Sequence, residues 1–455
     1  MENHANENEL GTKPIGKLLF GLAVPAITAQ IVNVLYNMVD RMYIGHIPNI
    51  GAFALTGVGV TFPIIMLVSA FATLASMGGA PRASIMMGRG DHLEAERILG
   101  NCTSALAGTA VLLTAAIFLF GKQLLMMFGA SEATIGYAWE YLSIYAVGTI
   151  SVQMALGLNA FITAQGFSKI SMLTVLLGAI CNIVLDPIFI FGFGMGVRGA
   201  AWATVISQTV SAVWVLRFLS GKKTGLKIKT ENLRIKPKVY LPCMALGLSP
   251  FIMQSTESIL TVCFNSSLLR FGGDMAVGAM TILSSVMQFS MLPLQGLTQG
   301  AQPIVGYNYG ADNRERVKKC FTLLVICCLT YSGFLWALVM LFPQIFAAMF
   351  TNDAALTAIT VHSLRIYMAA SGIFGIQIAC QQTFIAVGNA KTSVFLALLR
   401  KVFLLIPLIF ILPSFMPNKV DAVFLAEPIA DAIAVTVTAI MFWRYFSRYL
   451  KGQKL

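Results

Sequence analysis

The chain has 455 residues, 57% of them hydrophobic and only 11% charged, with a mean hydropathy of +0.78. A soluble domain carries about 25% charged residues, so this composition excludes an ordinary soluble globule and specifies an integral membrane protein. The net charge of +12 would also suit a nucleic-acid binder, but the placement of the cations, described below, excludes one.

The chain opens on a polar stretch, MENHANENELGTK, followed by a long apolar segment. A cleaved secretory signal is therefore not expected, and the first apolar segment should stay in the membrane. Apolar runs of about 20 residues, enough to cross roughly 30 Å of hydrocarbon as a helix, recur over 16–45, 52–80, 95–121, 136–165, 169–193, 199–220, 240–269, 276–306, 318–343, 358–387, 391–412 and 421–445. The expected fold is all-α, with 12 transmembrane helices in two pseudo-symmetric six-helix lobes. A cytoplasmic tail (1–15) precedes an N-lobe (16–220); a basic cytoplasmic loop (221–239), a C-lobe (240–445) and a second cytoplasmic tail (446–455) follow.

On this map one side of the membrane collects Lys13, Lys17, Arg89, Arg97, Lys169, the run GKKTGLKIKTENLRIKPK, Arg314 to Lys319, Lys391 and Arg444 to Lys454. The other side keeps Arg41, Lys122, Arg198, Arg270 and Lys419. Cytoplasmic loops are the ones enriched in Lys and Arg, so both termini are expected inside a plasma (inner) membrane. Attraction to anionic headgroups accounts for the basic loops without any nucleic acid. The eight cysteines are scattered through apolar stretches with no metal-ligand spacing, and read as small buried hydrophobes.

The halves repeat. GGAPRASIMMGRGDHLEAER at 78–97 aligns with QGAQPIVGYNYGADNRERVK at 299–318 at an offset of 221, pairing Gly79 with Gly300 and Asp91 with Asp312. AQGFSKISML at 164–173 echoes AVGNAKTSVF at 386–395 at 222, and Pro25 pairs with Pro250 at 225. With six helices per unit, the repeats should be parallel, related by an axis along the membrane normal. The polar residues are not repeated: Asn182 maps near Leu404, Asp186 near Ile406 to Leu408, and Asp40 near Asn265. Ion chemistry is therefore expected in the first half.

Acids inside apolar helices are costly and mark ion or proton pathways. Asn182 and Asp186 are four apart and share a helix face, as do Tyr36 and Asp40, with Asn33 and Asn37 adding a polar stripe. Thr204 begins helix six at similar depth, and Asn159 with Thr163 offers a further face on helix four. Asp40, Asn182, Asp186 and Thr204 together offer the oxygens a Na⁺ ion needs, while a proton needs only a carboxylate; the sequence does not separate the two. The alternative is that hydroxyls and amides cap these acids and they merely hold helices together. Pro187 and Pro25 suggest bends in helices five and one.

In the second half Glu257, with Gln254 one turn before it, is a candidate to neutralise a cationic cargo or to titrate; the alternative is a hydrogen bond to Gln254 or Gln288. Glu427 and Asp431 are four apart on helix twelve and are expected to form a structural ion pair with Arg400 and Lys401. GMGVRG at 194–199 lacks a surrounding βαβ unit and reads as a turn, and no P-loop is present. The 23 Met and 31 Phe residues could line an adaptable cavity but mostly face lipid or other helices.

The runs LYNMVDRMYIGH, NIVLDPIFIFGFGMGVRGAAWAT and PLQGLTQGAQPIVGYNYGADN, within two homologous six-helix units, resemble the multidrug and toxic compound extrusion (MATE) family, in its bacterial multidrug branch. The resemblance implies a V-shaped antiporter, not an enzyme, that exports small organic, often cationic, compounds in exchange for Na⁺ or H⁺ and works as a monomer in the bilayer without any other cofactor. Carried over residue by residue, the family's ion site falls on Asp40, Asn182, Asp186 and Thr204 with Asn159 nearby, and its helix-seven acid on Glu257. The segment AASGIFGIQIACQQTF at 369–384 lacks the helix-ten acid of some members, so a second ion site like theirs is not implied. Tyr36, Asn37, Asn159, Thr163, Gln254, Glu257 and Gln288 are the cavity candidates. A flippase for a lipid-linked oligosaccharide is the alternative function, and an intramembrane transferase finds no supporting motif.

Overall fold

The computed structural model describes residues 5–351 and 353–453. Among the described residues every regular element is a helix, as a chain in hydrocarbon requires, because only an internally bonded backbone is tolerated there. A short α1 (Ala5–Thr12) precedes α2 (Ile15–Gly45), α3 (Gly51–Gly88), α4 (His92–Met127), α5 (Ile135–Ala164), α6 (Ser168–Pro187) and α7 (Val197–Leu219). Then come α8 (Pro237–Gly310), α9 (Arg314–Leu341), α10 (Pro343–Ala348), α11 (Ala354–Tyr367), α12 (Phe374–Ala386), α13 (Ala390–Leu398), α14 (Ile406–Ile411) and α15 (Lys419–Leu450).

Ten helices are long and apolar enough to cross a membrane, and eleven spans result when α11 and α12, bent by 47°, are taken as one. α8 itself holds two arms. Its 74 residues turn at Gly273, whose φ of 65° lies in the left-handed region that glycine tolerates without penalty. The arms then pack together through Phe264 and Leu268 on one and Met280 and Leu283 on the other. Counting both arms gives twelve spans, as the hydropathy pattern predicts. Pro25 leaves α2 unbroken, whereas Pro187 is followed by a π-helical turn, Ile188–Gly192.

The two halves meet along a seam of glycines. A Cβ at Gly78 would run into the Cys243 carbonyl, and one at Gly247 into that of Leu74; the matching contacts put Gly300 on Ala23 and Gly296 on Ile27. Gly88 meets Tyr307 and Gly310 meets Ile85, which is one contact seen from its two sides, since 85 and 307 are 222 apart. The N-caps Asp91 and Asn313, each accepting from the backbone three residues on, keep the same interval. The register in this region is therefore 222 and not the 221 read from the sequence, and Asp91 pairs with Asn313. Backbones in such contact admit no side chain, which is why Gly and Ala recur here.

Every one of these contacts lies toward the membrane side that carries the termini. On that side α1 docks as well. Leu10 is buried, and its carbonyl accepts from Asn308 at 2.9 Å and Arg316 at 3.1 Å. The basic segment 221–239 is also held down: Gln165 Oε1 accepts from Thr224, Gly225 and Leu226, each at 2.9 Å, and Glu96 Oε2 pairs with Lys229 at 2.5 Å. The stretches expected as polar tail and loop are thus packed structure, anchored by buried amides that the sequence pattern does not single out.

Candidate functional site

Near its far end from the termini, α2 presents Asp40 to α6, and α6 presents Asp186 one residue before Pro187. Asp40 is 9% exposed and Asp186 fully buried. The two carboxylates stand within hydrogen-bonding reach of each other. Asn182, one turn before Asp186, donates its Nδ2 to Asp186 Oδ1 at 3.3 Å. Asp40 Oδ1, Asp186 Oδ2 and Asn182 Oδ1 are buried without a hydrogen-bond partner. Arg41, adjacent in sequence, turns its guanidinium over the Phe62 ring at 4.9 Å.

Around the pair stand three phenols. Tyr36, one turn before Asp40, is close to both acids. Tyr141 on α5 faces Asp40 and meets Thr204 Oγ1 at 3.4 Å, so Thr204 joins the cluster through Tyr141. Tyr145 stacks on Tyr141 with ring centroids 6.4 Å apart. Tyr141 and Tyr145 escape the sequence reading, although their four-residue spacing on one helix face was the available signal.

Two buried carboxylates this close cannot both stay ionised unless a positive species joins them. Among the described residues no Lys or Arg forms a salt bridge with either acid. A shared proton, or a hard cation taking the unpartnered oxygens, satisfies the geometry. A cavity of about 510 Å³ lies just beyond, lined by Ile47, Tyr137, Glu140, Ile190, Phe191 and Val197, with Ile190 one turn past Asp186.

The second half carries its own polar cluster on α8, α15 and the π-helical turn Leu399–Leu405 between α13 and α14. Arg400 donates from Nε to Asp431 at 2.6 Å and from Nη2 to Glu427 at 2.8 Å, and lies over the Phe374 ring at 4.6 Å. The expected ion pair of Glu427 and Asp431 is therefore made by Arg400 alone. Lys401 turns the other way and pairs with Glu257, which replaces the partner expected for Glu257 in Gln254 or Gln288. The wider π turn permits this, presenting two successive residues inward. A polar cluster thus exists in each half, that of the second being ion-paired within itself.

The remaining candidates are dispersed. Asn37 donates to the Asn33 carbonyl at 2.6 Å on an exposed face of α2. Gln254 Oε1 accepts from Thr73 of α3 at 3.0 Å, across the seam. Asn159 donates to the Ser171 carbonyl at 3.2 Å and Thr163 to the Ser171 hydroxyl at 2.9 Å. Ser171 is fifteen residues before Asp186 on α6, or about 22 Å of helix at 1.5 Å per residue. Asn159 and Thr163 therefore stand apart from the acid pair, and Asn159 does not lie near the ion site as the resemblance implies. Gln288 is exposed on the second arm of α8.

The MatE family model matches this chain twice, over residues 25–188 and 250–411. The multidrug export protein MepA of Staphylococcus haemolyticus (strain JCSC1435) is 22% identical, covering 93% of each chain. MepA of Staphylococcus aureus (strain NCTC 8325 / PS 47) is 21% identical over 94% of each. Among solved structures, a crystal structure of MATE in the bent conformation superposes with a TM-score of 0.92 at 22% identity, over 98% of this chain and 99% of that one. The outward-facing conformation of a multidrug resistance MATE family transporter of the MOP superfamily superposes at 0.86, with 22% identity and 97% and 98% coverage. At that identity the structural likeness establishes the fold.

Proposed function

The chain belongs to the MATE family of multidrug efflux transporters, and from that premise we propose that it is a secondary active antiporter, exporting organic cations in exchange for Na⁺ or H⁺. The observation that carries this reading is the Asp40–Asp186 contact with its unpartnered buried oxygens. A site built so is incomplete without a small positive species. Asn182 holds one oxygen of Asp186 in place, and Thr204 with Tyr141 closes the cluster on the α7 side.

With the termini taken as cytoplasmic, the glycine seam closes the inner side, and in this reading the cleft between the lobes opens outward. Ion entry from the outer cavity then favours release of cargo outward, and rocking of the lobes about the seam returns the cleft to the cytoplasm. One charge moving down 100 mV supplies about 2.3 kcal/mol. A lipid-phosphate flippase would need free cations along the cleft; of Arg365, Arg400 and Lys401, the two buried ones, Arg400 and Lys401, are each engaged by acids, which favours organic cations as cargo. Efflux of a fluorescent cationic dye from proteoliposomes, under separately imposed Na⁺ and pH gradients, tests export and identifies the coupling ion. Absence of dye movement under both gradients defeats the reading.

A further inference from the structure

Glu257 and Lys401 form an unequal pair. The Lys401 side chain is 3% exposed and that of Glu257 is 66% exposed. Lys401 Nζ also donates to the Met253 carbonyl at 2.8 Å, so the ammonium is held from beneath by backbone and capped by the carboxylate. Glu257 lies one turn beyond Gln254, whose amide oxygen accepts from Thr73 of α3 in the first half at 3.0 Å. Residues three apart share a helix face, so the exposed Glu257 carboxylate sits on the same side of α8 as Gln254, the side turned toward the first half. The first half has no counterpart: at the repeat interval of 222, Arg400 and Lys401 correspond to Gly178 and Ala179, and Gly178 packs directly on Ser211.

We propose that Lys401 sets the charge preference of the cleft: it is a built-in counter-cation for Glu257, and an organic cation binds by taking over the carboxylate that Lys401 holds. This rests on the antiporter reading above and names the residue that tunes its cargo. Lys401 cannot leave, being anchored to the Met253 carbonyl and walled in by protein. A cation arriving at Glu257 thus meets a carboxylate already half neutralised, with a second positive charge behind it. A cleft arranged so discriminates against compact or multiply charged cations, whose repulsion from Lys401 is strongest, and accepts bulky monocations whose charge is diffuse. The acid attracts; the lysine behind it limits how much.

Removing Lys401 frees the full charge of Glu257 without stranding a buried ion, since the carboxylate that remains is exposed. Removing Glu257 does the reverse and leaves a nearly dry ammonium with one carbonyl, the costlier change. The test is equilibrium binding of tetraphenylphosphonium, a bulky monocation, and of neutral triphenylphosphine oxide to the purified full-length protein in nanodiscs, for wild type, Lys401→Met and Glu257→Gln/Lys401→Met. The expected result is about tenfold tighter binding of the cation to Lys401→Met, no change for the neutral compound, and loss of the gain in the double variant. A Kd for the cation that does not tighten, or that tightens together with that of the neutral compound, overturns the role of Lys401 while leaving the antiporter reading standing. If the wild type itself binds neither compound, both readings fall. A second readout needs no cargo: Glu257→Gln alone should lower the melting temperature and adding Lys401→Met should restore it, and a Glu257→Gln protein as stable as wild type contradicts the pairing.

Discussion

Gly88 and Gly310, 222 residues apart in the chain, pack the last turns of α3 and α8 against each other, each where a Cβ would strike the other helix's backbone. The contact is reciprocal, as a two-fold relation between the repeats requires. Ser84, one turn before Gly88, is fully buried and donates to the Pro303 carbonyl at 3.2 Å, so the closure is dry as well as tight.

Since the obstacle at Gly88 is a carbonyl and not a flexible side chain, Gly88→Ala forces α3 and α8 apart on the side of the termini. Overpacking of this kind costs typically about 1–3 kcal/mol, enough to shift a two-state equilibrium between lobe arrangements by about fivefold to a hundredfold. Labelling of a cysteine at position 84 by a maleimide should be negligible when Gly88 is kept and rapid in the Gly88→Ala background. Equal labelling in both would show that the seam does not govern access from that side.

For the acid pair the expected outcome separates activity from stability. Asp186→Asn removes one of two carboxylates that repel each other when both are ionised, so the melting temperature should hold or rise. Gradient-driven dye export in vesicles should fall to the passive background. Tyr141→Phe should act more gently, releasing Thr204 from its 3.4 Å contact at about 1 kcal/mol, the usual net value of one hydrogen bond, with export reduced but not abolished. Undiminished export by Asp186→Asn would remove that acid from the coupling machinery.

How far the sequence reached depends on what kind of signal each feature leaves. Span number and repeat follow from hydropathy and spacing, because the bilayer fixes helix length and duplication preserves intervals. The contact between Asp40 and Asp186 joins residues 146 positions apart, and only the packing of α2 on α6 brings them together. Lys401 shows the limit most clearly. From spacing alone it groups with Arg400, Glu427 and Asp431, yet the π turn at Leu399–Leu405 sends adjacent cations in different directions. Periodicity arguments assume 3.6 residues per turn and miss such a turn. Gln165 is a single polar residue at the end of an apolar helix, and Glu96 is one of several charged residues in DHLEAER, so spacing marks neither as the residue that ties the basic segment down.

The docking of that segment gives a prediction outside the membrane. Glu96 Oε1 accepts from the Lys227 amide at 3.2 Å while Oε2 pairs with Lys229, and the hydrogen bond and charge of Glu96 raise the pKa of the Lys229 ammonium. A lysine raised in the folded state contributes fully below its unfolded value and loses that contribution only as pH climbs through the folded one. The loop should therefore stay docked across neutral pH and loosen only in alkali, above about 10.4. Glu96→Ala should accelerate tryptic cleavage between Lys222 and Lys238 several-fold at pH 8, with the wild-type rate flat from pH 7 to 9.

Arg400 differs from Lys401 in what its loss leaves behind. Glu427 and Asp431 have side chains 7% and 3% exposed, and Arg400 is the cation that reaches both. Arg400→Met therefore strands two carboxylates in a dry interior, and breaking a buried pair in this way costs about 3–5 kcal/mol. Neutralising the partners as well, in Arg400→Met/Glu427→Gln/Asp431→Asn, should recover most of the loss, since the penalty belongs to the orphaned charges and not to the missing bond. Thermal unfolding of the three proteins in one detergent decides the matter. If the triple variant melts as low as Arg400→Met, the guanidinium stabilises the fold through its packing on Phe374 at 4.6 Å and the charges are secondary.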